Sequence, residues 1–176
     1  MKKAMFFQSL EDSKVQCQLC PNNCIISSGH VGSCRVRKNV DGVLYSLNYG
    51  KIVSLAIDPI EKKPLYHFYP GSESLSIATV GCNFHCRFCQ NWEMSQSEVI
   101  SGEDMTPQDV VDMALRKGVK SISYTYTEPT IFFEFAYDTA KLAHRHGIKN
   151  VFVTNGFINP KPLKKIAPYL DAANID

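Results

Sequence analysis

The stretch Gly81–Trp92 reads GCNFHCRFCQNW and holds three cysteines, Cys82, Cys86 and Cys89, in the spacing Cys-x3-Cys-x2-Cys. The segments between these cysteines are too short for disulfides, and pairing two of them would leave one sulfur over. Thiolate is the preferred ligand of iron–sulfur clusters, and a saturated [4Fe–4S] cluster takes four cysteines. Three cysteines would therefore leave one iron without a protein ligand, and an open position on a metal is where a substrate can bind.

This stretch resembles the cysteine motif of the radical S-adenosylmethionine (SAM) superfamily, in which an aromatic residue, here Phe88, usually precedes the last cysteine. The resemblance implies that SAM chelates the open iron and that an electron from the reduced cluster splits its sulfonium C–S bond. The product would be a 5′-deoxyadenosyl radical that abstracts hydrogen from a substrate, while the protein supplies placement. From the cysteines alone, a zinc knuckle or a simple electron-transfer cluster stays open.

Length and composition favour a small protein with reduced thiols. The chain has 176 residues, enough for one domain or for one domain and a small module. Its net charge is +2, and no long basic run indicates a nucleic-acid partner. The start, MKKAMFFQSLEDS, has too short an apolar run for a signal peptide, and no stretch approaches the roughly 20 apolar residues of a membrane span. We therefore expect a cytoplasmic protein with no membrane partner, whose seven cysteines bind metal.

A second cysteine group lies near the start of the chain. Cys17, Cys20, Cys24 and Cys34 have the spacing Cys-x2-Cys-x3-Cys-x9-Cys, with glycines and a Pro-Asn-Asn run that allow tight turns between them. Four thiolates suit either tetrahedral zinc or a second, fully ligated [4Fe–4S] cluster. The sequence does not choose between these two metals, and free structural cysteines stay open as a third interpretation.

Two strands are expected next, at Val43–Tyr49 and Ile52–Ile57, joined by a two-residue turn at Gly50-Lys51 into a β-hairpin. The alternation of apolar residues in the first run favours this pairing.

The run Asp58–Ser74, DPIEKKPLYHFYPGSES, contains three prolines and is expected to be an irregular connector. We interpret Lys62 and Lys63 as surface residues of this connector, with their aliphatic stems along the protein. The alternative is that the connector forms a wall of the cofactor pocket, because it leads directly into the strand before the three-cysteine loop.

From residue 75 the pattern changes to alternating strands and helices. Leu75–Val80 is expected to be a buried parallel strand, and the cysteine loop follows its C-terminal end, the functional edge of β/α barrels and open α/β sheets. A helix should begin with a Thr106–Asp109 capping box and end at Gly118. Its expected buried stripe is Val110, Val111, Ala114 and Leu115.

The second strand, Ser121–Thr125, is followed by Thr127, Glu128 and Pro129. These residues resemble the Gly-Gly-Glu-Pro element of the superfamily, whose backbone holds the SAM ammonium group, and the carboxylate of Glu128 can supply a compensating charge. Here Tyr126 and Thr127 stand where the family has two glycines. The alternative for Glu128 is that it only stabilises the N-terminus of the next helix.

The next helix should run from about residue 131 to residue 145, with a third strand at Asn150–Thr154 and then Asn155-Gly156 as a sharp turn at the same edge. The sequence Thr-Asn-Gly resembles the glycyl-radical-enzyme activases, which implies that Asn155 could hydrogen-bond the cofactor; a turn asparagine is the alternative. A short helix at residues 162–169 and a fourth strand from Ala172 complete the pattern.

The resulting fold prediction is α/β: the N-terminal half of a partial (β/α) TIM-like barrel with parallel strands, preceded by the four-cysteine module and the hairpin. Residues 1–74 would form the module, hairpin and connector, and residues 75–176 a radical SAM domain of about four strands. The resemblance covers the whole chain and is closest to the radical SAM enzyme of the AmmeMemoRadiSam system, similar to pyruvate formate-lyase activating enzymes. Members of that family continue past this end, so we expect the N-terminal half of a longer protein.

The resemblance implies an oxidoreductase with a [4Fe–4S] cluster and SAM as cofactors. The four early cysteines add zinc or a second cluster as a possible further metal centre. Implied partners are a reductant such as flavodoxin or ferredoxin and a protein that loses hydrogen from a glycine. The competing hypothesis is a non-catalytic iron–sulfur or zinc-binding module that carries electrons or acts as a scaffold.

Overall fold

The computed structural model describes all residues, 1–176, and contains thirteen strands and four α-helices. The strands are β1 Lys2–Lys3, β2 Phe7–Ser9, β3 Val15–Cys17, β4 Ile25–Ile26, β5 Arg37–Val40, β6 Val43–Ser46, β7 Lys51–Ile52, β8 Ser54–Pro59, β9 Glu73–Ala78, β10 Glu103–Asp104, β11 Ser121–Tyr124, β12 Lys149–Thr154 and β13 Ala172–Ile175. The α-helices are α1 Trp92–Ser95, α2 Pro107–Lys117, α3 Phe133–Arg145 and α4 Pro160–Ile166. Short 3-10 helices lie at Ile60–Lys62, Pro129–Phe132 and Ala167–Tyr169.

The central element is a five-stranded sheet in the order β13-β12-β11-β9-β8. Its first four strands are parallel, and β8 pairs antiparallel with β9 along one edge. The helices α2, α3 and α4 each lie between successive parallel strands in the chain. The predicted parallel α/β fold is thus confirmed, and the sheet is open, with β8 and β13 as its two edges.

The two faces of this sheet differ in chemistry. Tyr124 packs on Phe132, and its hydroxyl donates to Asn150, which itself donates to a backbone carbonyl of α3, so this face meets the helices. The opposite face carries small polar residues: the Ser74 and Ser123 hydroxyls lie 2.6 Å apart. Strands buried on both faces favour continuous apolar runs, so the buried serines mark a polar inner face.

Helix α2 begins and ends as its sequence predicts. The Thr106 hydroxyl accepts from the Asp109 amide at 3.2 Å, the Asp109 carboxylate accepts from the Thr106 amide at 2.8 Å, and Gly118 has φ +66°. The predicted stripe is correct for Val110, Val111 and Ala114, which are fully buried. It is wrong for Leu115, which is 46% exposed. Helical periodicity places Leu115 at the outer edge of the buried face, beyond Val111.

The predicted hairpin is wrong in its position. Strand β6 pairs with β5 through a turn at Asp41 and Gly42, both of which have positive φ, as a two-residue hairpin of this kind requires. Strand β8 instead joins the edge of the main sheet, in register with β9 along its full length. The division at residue 74 stays a prediction, although this pairing links the two sides of it.

The connector after β8 has the predicted surface character at Lys62 but not at Lys63. Lys62 has a side chain 58% exposed, but the Lys63 side chain is 1% exposed and its Nζ lies 2.9 Å from Oδ2 of Asp58. Asp58 pairs in register with Ser74 and so lies on the polar inner face. A buried carboxylate needs a partner of opposite charge, and Lys63 is drawn inward to provide it.

The core is one cluster of 29 buried residues that includes Phe132, Phe133 and Phe135 around α3.

None of the helices combines the length and the apolar character that crossing a lipid bilayer requires.

Candidate functional site

Three loops meet at the C-terminal edge of the parallel strands. The three-cysteine loop follows β9, the Thr127–Pro129 turn follows β11, and Asn155 follows β12. Parallel strands present their carboxyl ends at one edge of a sheet, and this edge is where open α/β sheets bind ligands. The fold therefore brings the predicted site segments to one place.

Hydrogen bonds to sulfur order two of the cysteines in the loop. The Phe84 amide donates to Sγ of Cys82 at 3.4 Å, and Sγ of Cys89 lies 3.4 Å from the Ser95 hydroxyl at the end of α1. Cys86 is exposed. The loop thus holds two thiols against the protein and presents the third to solvent.

The thiols of this loop lie within electrostatic range of one another. Burial raises the pKa of Cys82 to about 11, the Phe84 amide opposes this, and nearby Glu128, Cys86 and Cys89 add to it. In the structure, no group of three or more His, Cys, Asp or Glu side chains is arranged so as to hold a metal ion. The donor set itself, thiolates with amide and hydroxyl donors beside two sulfurs, fits an iron–sulfur cluster.

Phe88 and Trp92 are the exposed aromatics of the loop, with 88% and 62% of their surfaces accessible. The Phe88 ring is therefore free to contact a ligand.

Glu128 links the ends of two strands. One carboxylate oxygen, Oε1, accepts from the Thr130 amide at 2.9 Å and from the Thr154 hydroxyl at 2.7 Å. The other, Oε2, accepts from the Asn155 amide at 2.8 Å. Glu128 is only 3% exposed, and it caps the 3-10 helix that begins at Pro129. The structural role considered for Glu128 is therefore present, and one acceptor position on Oε2 is still unused.

Asn155 has the turn role and also reaches the cysteine loop. Its Oδ1 accepts from the Phe157 amide at 2.9 Å, and its Nδ2 donates to Oδ1 of Asn83 at 2.8 Å. Asn83, which is 3% exposed, also donates to the Phe157 carbonyl at 3.0 Å. These amides fasten the segment after Cys82 to the end of β12.

The four early cysteines surround one small cavity, which Arg37 also lines. Burial raises the pKa of Cys34 to about 12 and also raises the pKa of Cys20, where hydrogen bonds from Asn22 and Asn83 partly oppose it. The structure thus brings these four predicted ligands around a single space.

A buried ion pair lies against this cavity. Arg37 donates to the Glu134 carboxylate of α3 at 3.0–3.2 Å, and the residues are 1% and 0% exposed. Burial would lower the pKa of Arg37, but Glu134 and the neighbouring thiols raise it instead. The Arg37 Nε has no hydrogen-bond partner, so a guanidinium N–H stays free beside the cysteines.

The four-cysteine module packs directly on the three-cysteine loop. A Cβ on Gly81 would lie 2.6 Å from a methyl group of Val36 and 2.9 Å from the Cys34 carbonyl oxygen, and Gly81 has φ +101°. The Asn22 side chain donates to the Asn83 carbonyl at 3.2 Å. Asn83 is therefore a junction between the two cysteine groups.

Sequence reasoning did not assign roles to Asn83 or Asn91. The Asn91 side chain donates to the Tyr126 carbonyl at 2.9 Å. The available signal was their position, since both are amide residues within two places of a predicted metal ligand. A short loop needs side-chain hydrogen bonds to satisfy its backbone.

Comparison with known proteins agrees with this geometry. Residues 76–176 match the sequence profile of the Radical SAM superfamily. The whole chain is 52% identical over 178 aligned residues to the uncharacterized protein MJ0808 of Methanocaldococcus jannaschii, of whose length it spans 53%. The profile covers more than half of the chain and includes all three cysteines of the loop. The chain therefore belongs to the radical SAM superfamily.

Proposed function

We propose that this chain is the catalytic part of a radical SAM enzyme that cleaves SAM reductively and abstracts hydrogen from a substrate. The observation that carries the proposal is the meeting of the three-cysteine loop with Glu128 and Asn155 at one edge of a parallel sheet. When bound, a [4Fe–4S] cluster supplies the electron that splits the C–S bond of SAM and yields a 5′-deoxyadenosyl radical.

Cys82, Cys86 and Cys89 are the residues that would hold this cluster. The Phe84 amide donates to the Cys82 sulfur, and the Ser95 hydroxyl lies 3.4 Å from the Cys89 sulfur, so two of the three sulfurs have polar neighbours that orient them. The exposed position of Cys86 leaves room for a ligand to reach the loop from solvent.

We assign five residues to SAM binding: Thr127, Glu128, Pro129, Asn155 and Phe88. The unused acceptor position on Glu128 and its negative charge suit an ammonium group. The Asn155 amide group is held by Asn83 close to the cysteines, and the open ring of Phe88 offers an apolar surface.

The four early cysteines would form a second metal centre, with zinc or a [4Fe–4S] cluster. Their shared cavity and the free N–H of Arg37 support this proposal, because a guanidinium donor stabilises the negative charge of a tetrathiolate site. Metal analysis decides between the candidates: about eight irons per chain indicates two clusters, whereas about four irons with one zinc indicates a structural zinc.

The finer assignment is an activase of the AmmeMemoRadiSam type that removes hydrogen from a glycine of a partner protein. The resemblance at Thr154-Asn155-Gly156 and the exposed Phe88 and Trp92 beside the cysteines support it. We also propose that flavodoxin or ferredoxin supplies the electron and that the protein works in the cytoplasm.

A non-catalytic iron–sulfur or zinc module for electron transfer or scaffolding is the second candidate. Its supporting observation is the exposed position of Cys86, where a bound cluster could exchange electrons with a partner protein.

The test is anaerobic reconstitution with iron, sulfide, SAM and dithionite, followed by assay of 5′-deoxyadenosine. It is run on this chain, on the longer relative from M. jannaschii, and on a Cys86→Ala variant of this chain. We expect iron binding in the parent chain, about four fewer irons per chain in the variant, and product from the longer protein. Iron bound without any product from the longer protein would establish the non-catalytic module instead.

A further inference from the structure

The turn after β11 contains a strained residue. Tyr126 has φ +65°, and the Thr127 amide donates to the Thr125 carbonyl at 2.8 Å across it. A three-residue turn with positive φ at its centre is rare, and an aromatic residue seldom adopts this conformation, which is easy for glycine. Such an outlier persists only where the surrounding structure imposes it.

The constraint on Tyr126 comes from its side chain. The phenol hydroxyl donates to Oδ2 of Asp58, and Nζ of Lys63 lies 4.4 Å from the ring centroid, within cation–π range. The same Nζ lies 2.9 Å from Oδ2 of Asp58. Asp58 and Lys63 are 6% and 1% exposed, so this anchor is shielded from water.

Lys62 completes the charges that face Asp58. Its Nζ lies 2.8 Å from Oδ1 of the same carboxylate and 5.7 Å from the Tyr126 ring. Burial alone would raise the pKa of Asp58, but the hydrogen bonds from Lys62, Tyr126 and Lys63 outweigh it and hold this pKa well below its ordinary value. The carboxylate is therefore charged and able to bind the phenol throughout the neutral range.

The backbone of the same turn is tied to the candidate site. The Tyr126 carbonyl accepts from Asn91 of the cysteine loop at 2.9 Å, and the Thr127 hydroxyl donates to the Thr79 carbonyl at 2.7 Å. Glu128 follows directly. A rotation at Tyr126 would therefore move the Thr127–Glu128 backbone relative to the cysteines.

We infer that Asp58 and Lys63 are positioning residues that act through Tyr126 on the SAM-binding turn. Anchoring the ring holds the left-handed backbone at residue 126, and that backbone directs Thr127 and Glu128 toward SAM. A glycine at position 126 would adopt this conformation without an anchor, so the side chains of the connector replace the freedom that glycine gives. This inference rests on the proposed function, because it concerns the residues assigned to SAM.

The decisive test is a rescue experiment on the full chain. Asp58→Asn removes the charged acceptor and should weaken SAM binding by about tenfold, since a hydrogen bond to a charged group is lost. Tyr126→Phe, which keeps the ring, should weaken it to a similar extent. Adding Tyr126→Gly to Asp58→Asn should restore the dissociation constant to within about threefold of the parent value, because glycine needs no anchor. Equilibrium dialysis of reconstituted protein with SAM measures these constants.

Two lysine variants provide the matched controls. Lys63→Met should weaken SAM binding severalfold, whereas Lys62→Met, which removes an exposed ammonium from the same carboxylate, should change it by less than about twofold. A double variant that binds SAM more weakly than Asp58→Asn alone would overturn the inference, and so would equal effects of the two lysines.

A second measurement does not depend on SAM. Hydrogen exchange of the Thr127 amide in metal-free protein should become at least about tenfold faster in Asp58→Asn and slow again in the double variant. If the parent chain binds no SAM but this exchange pattern holds, the proposed function fails and the anchor stands. Unchanged exchange in Asp58→Asn contradicts the anchor, whatever happens to SAM.

Discussion

The two cysteine groups of this protein present the same side chain in opposite settings. Cys17, Cys20 and Cys34 are buried around a small cavity beside the Arg37–Glu134 ion pair, whereas the loop that contains Cys86 is open at the sheet edge. The difference indicates that a cysteine count alone does not give a role. We therefore interpret the buried set, with its compensating charges, as structural, and the open set as the cluster site that we propose.

The largest effect that sharpens this contrast is expected from Glu134→Ala. It leaves the Arg37 guanidinium buried without a counter-ion and should lower the free energy of unfolding by about 3–5 kcal/mol. Urea unfolding of metal-free, reduced protein measures it. The matched control is Glu98→Ala, since Glu98 is 84% exposed and lies 3.9 Å from Arg35; it should cost less than about 1 kcal/mol. Equal losses in the free energy of unfolding for the two variants would show that the buried Arg37–Glu134 pair does not stabilise the module.

The next effect compares one cysteine from each group. Cys34→Ala should lower the free energy of unfolding by about 1–3 kcal/mol, because the side chain is buried, and Cys86→Ala should change it by less than about 0.5 kcal/mol, because that residue is exposed. The same urea titrations apply, again without metal. A larger loss for Cys86→Ala would reverse the assignment of structural and open groups.

A smaller effect is expected on the pH dependence of stability. The folded pKa of Cys34, about 12, lies above its ordinary value of 9.0, so burial favours the neutral thiol. A group with a raised folded pKa contributes stability that is full below the unfolded pKa and is lost as pH rises toward the folded one. Metal-free protein should therefore lose stability between pH 9 and pH 12. Cys34→Ala should show a shallower loss in chemical unfolding at each pH, and identical slopes for the two proteins would count against burial as the cause.

The smallest change in stability is expected from Phe88→Ala. The ring is 88% exposed, so the free energy of unfolding should stay within about 0.5 kcal/mol of the parent. SAM binding should weaken by about threefold or more if the ring contacts the ligand, as equilibrium dialysis can show. An unchanged dissociation constant would remove Phe88 from the cofactor residues.

The sequence predicted what local rules govern. The Thr106–Asp109 capping box, the end of α2 at Gly118 and the parallel strands were all readable, because each depends on residues close in the chain or on their periodicity. The predicted hairpin is misplaced because Asp41-Gly42, where both residues have positive φ, forms the two-residue turn, and Gly50-Lys51 does not.

Long-range pairing was the part that sequence could not supply. The Arg37–Glu134 pair joins residues 97 positions apart, and Lys63 is buried only because Asp58 lies on the inner face of the sheet. Arg, Glu, Lys and Asp are residue types that usually lie at the surface, so the neighbouring sequence does not indicate that these four are buried.

The contact of Gly81 with Val36 and the Cys34 carbonyl has a consequence for protein engineering. A graft of either cysteine segment onto another scaffold would have to carry the other with it, since the glycine has no room for a side chain and the mating surface is specific. Chimaeras that exchange both segments together should tolerate the transplant better than chimaeras that exchange one. The two segments therefore form a single structural unit that has to be transferred together, although 47 residues separate their nearest cysteines.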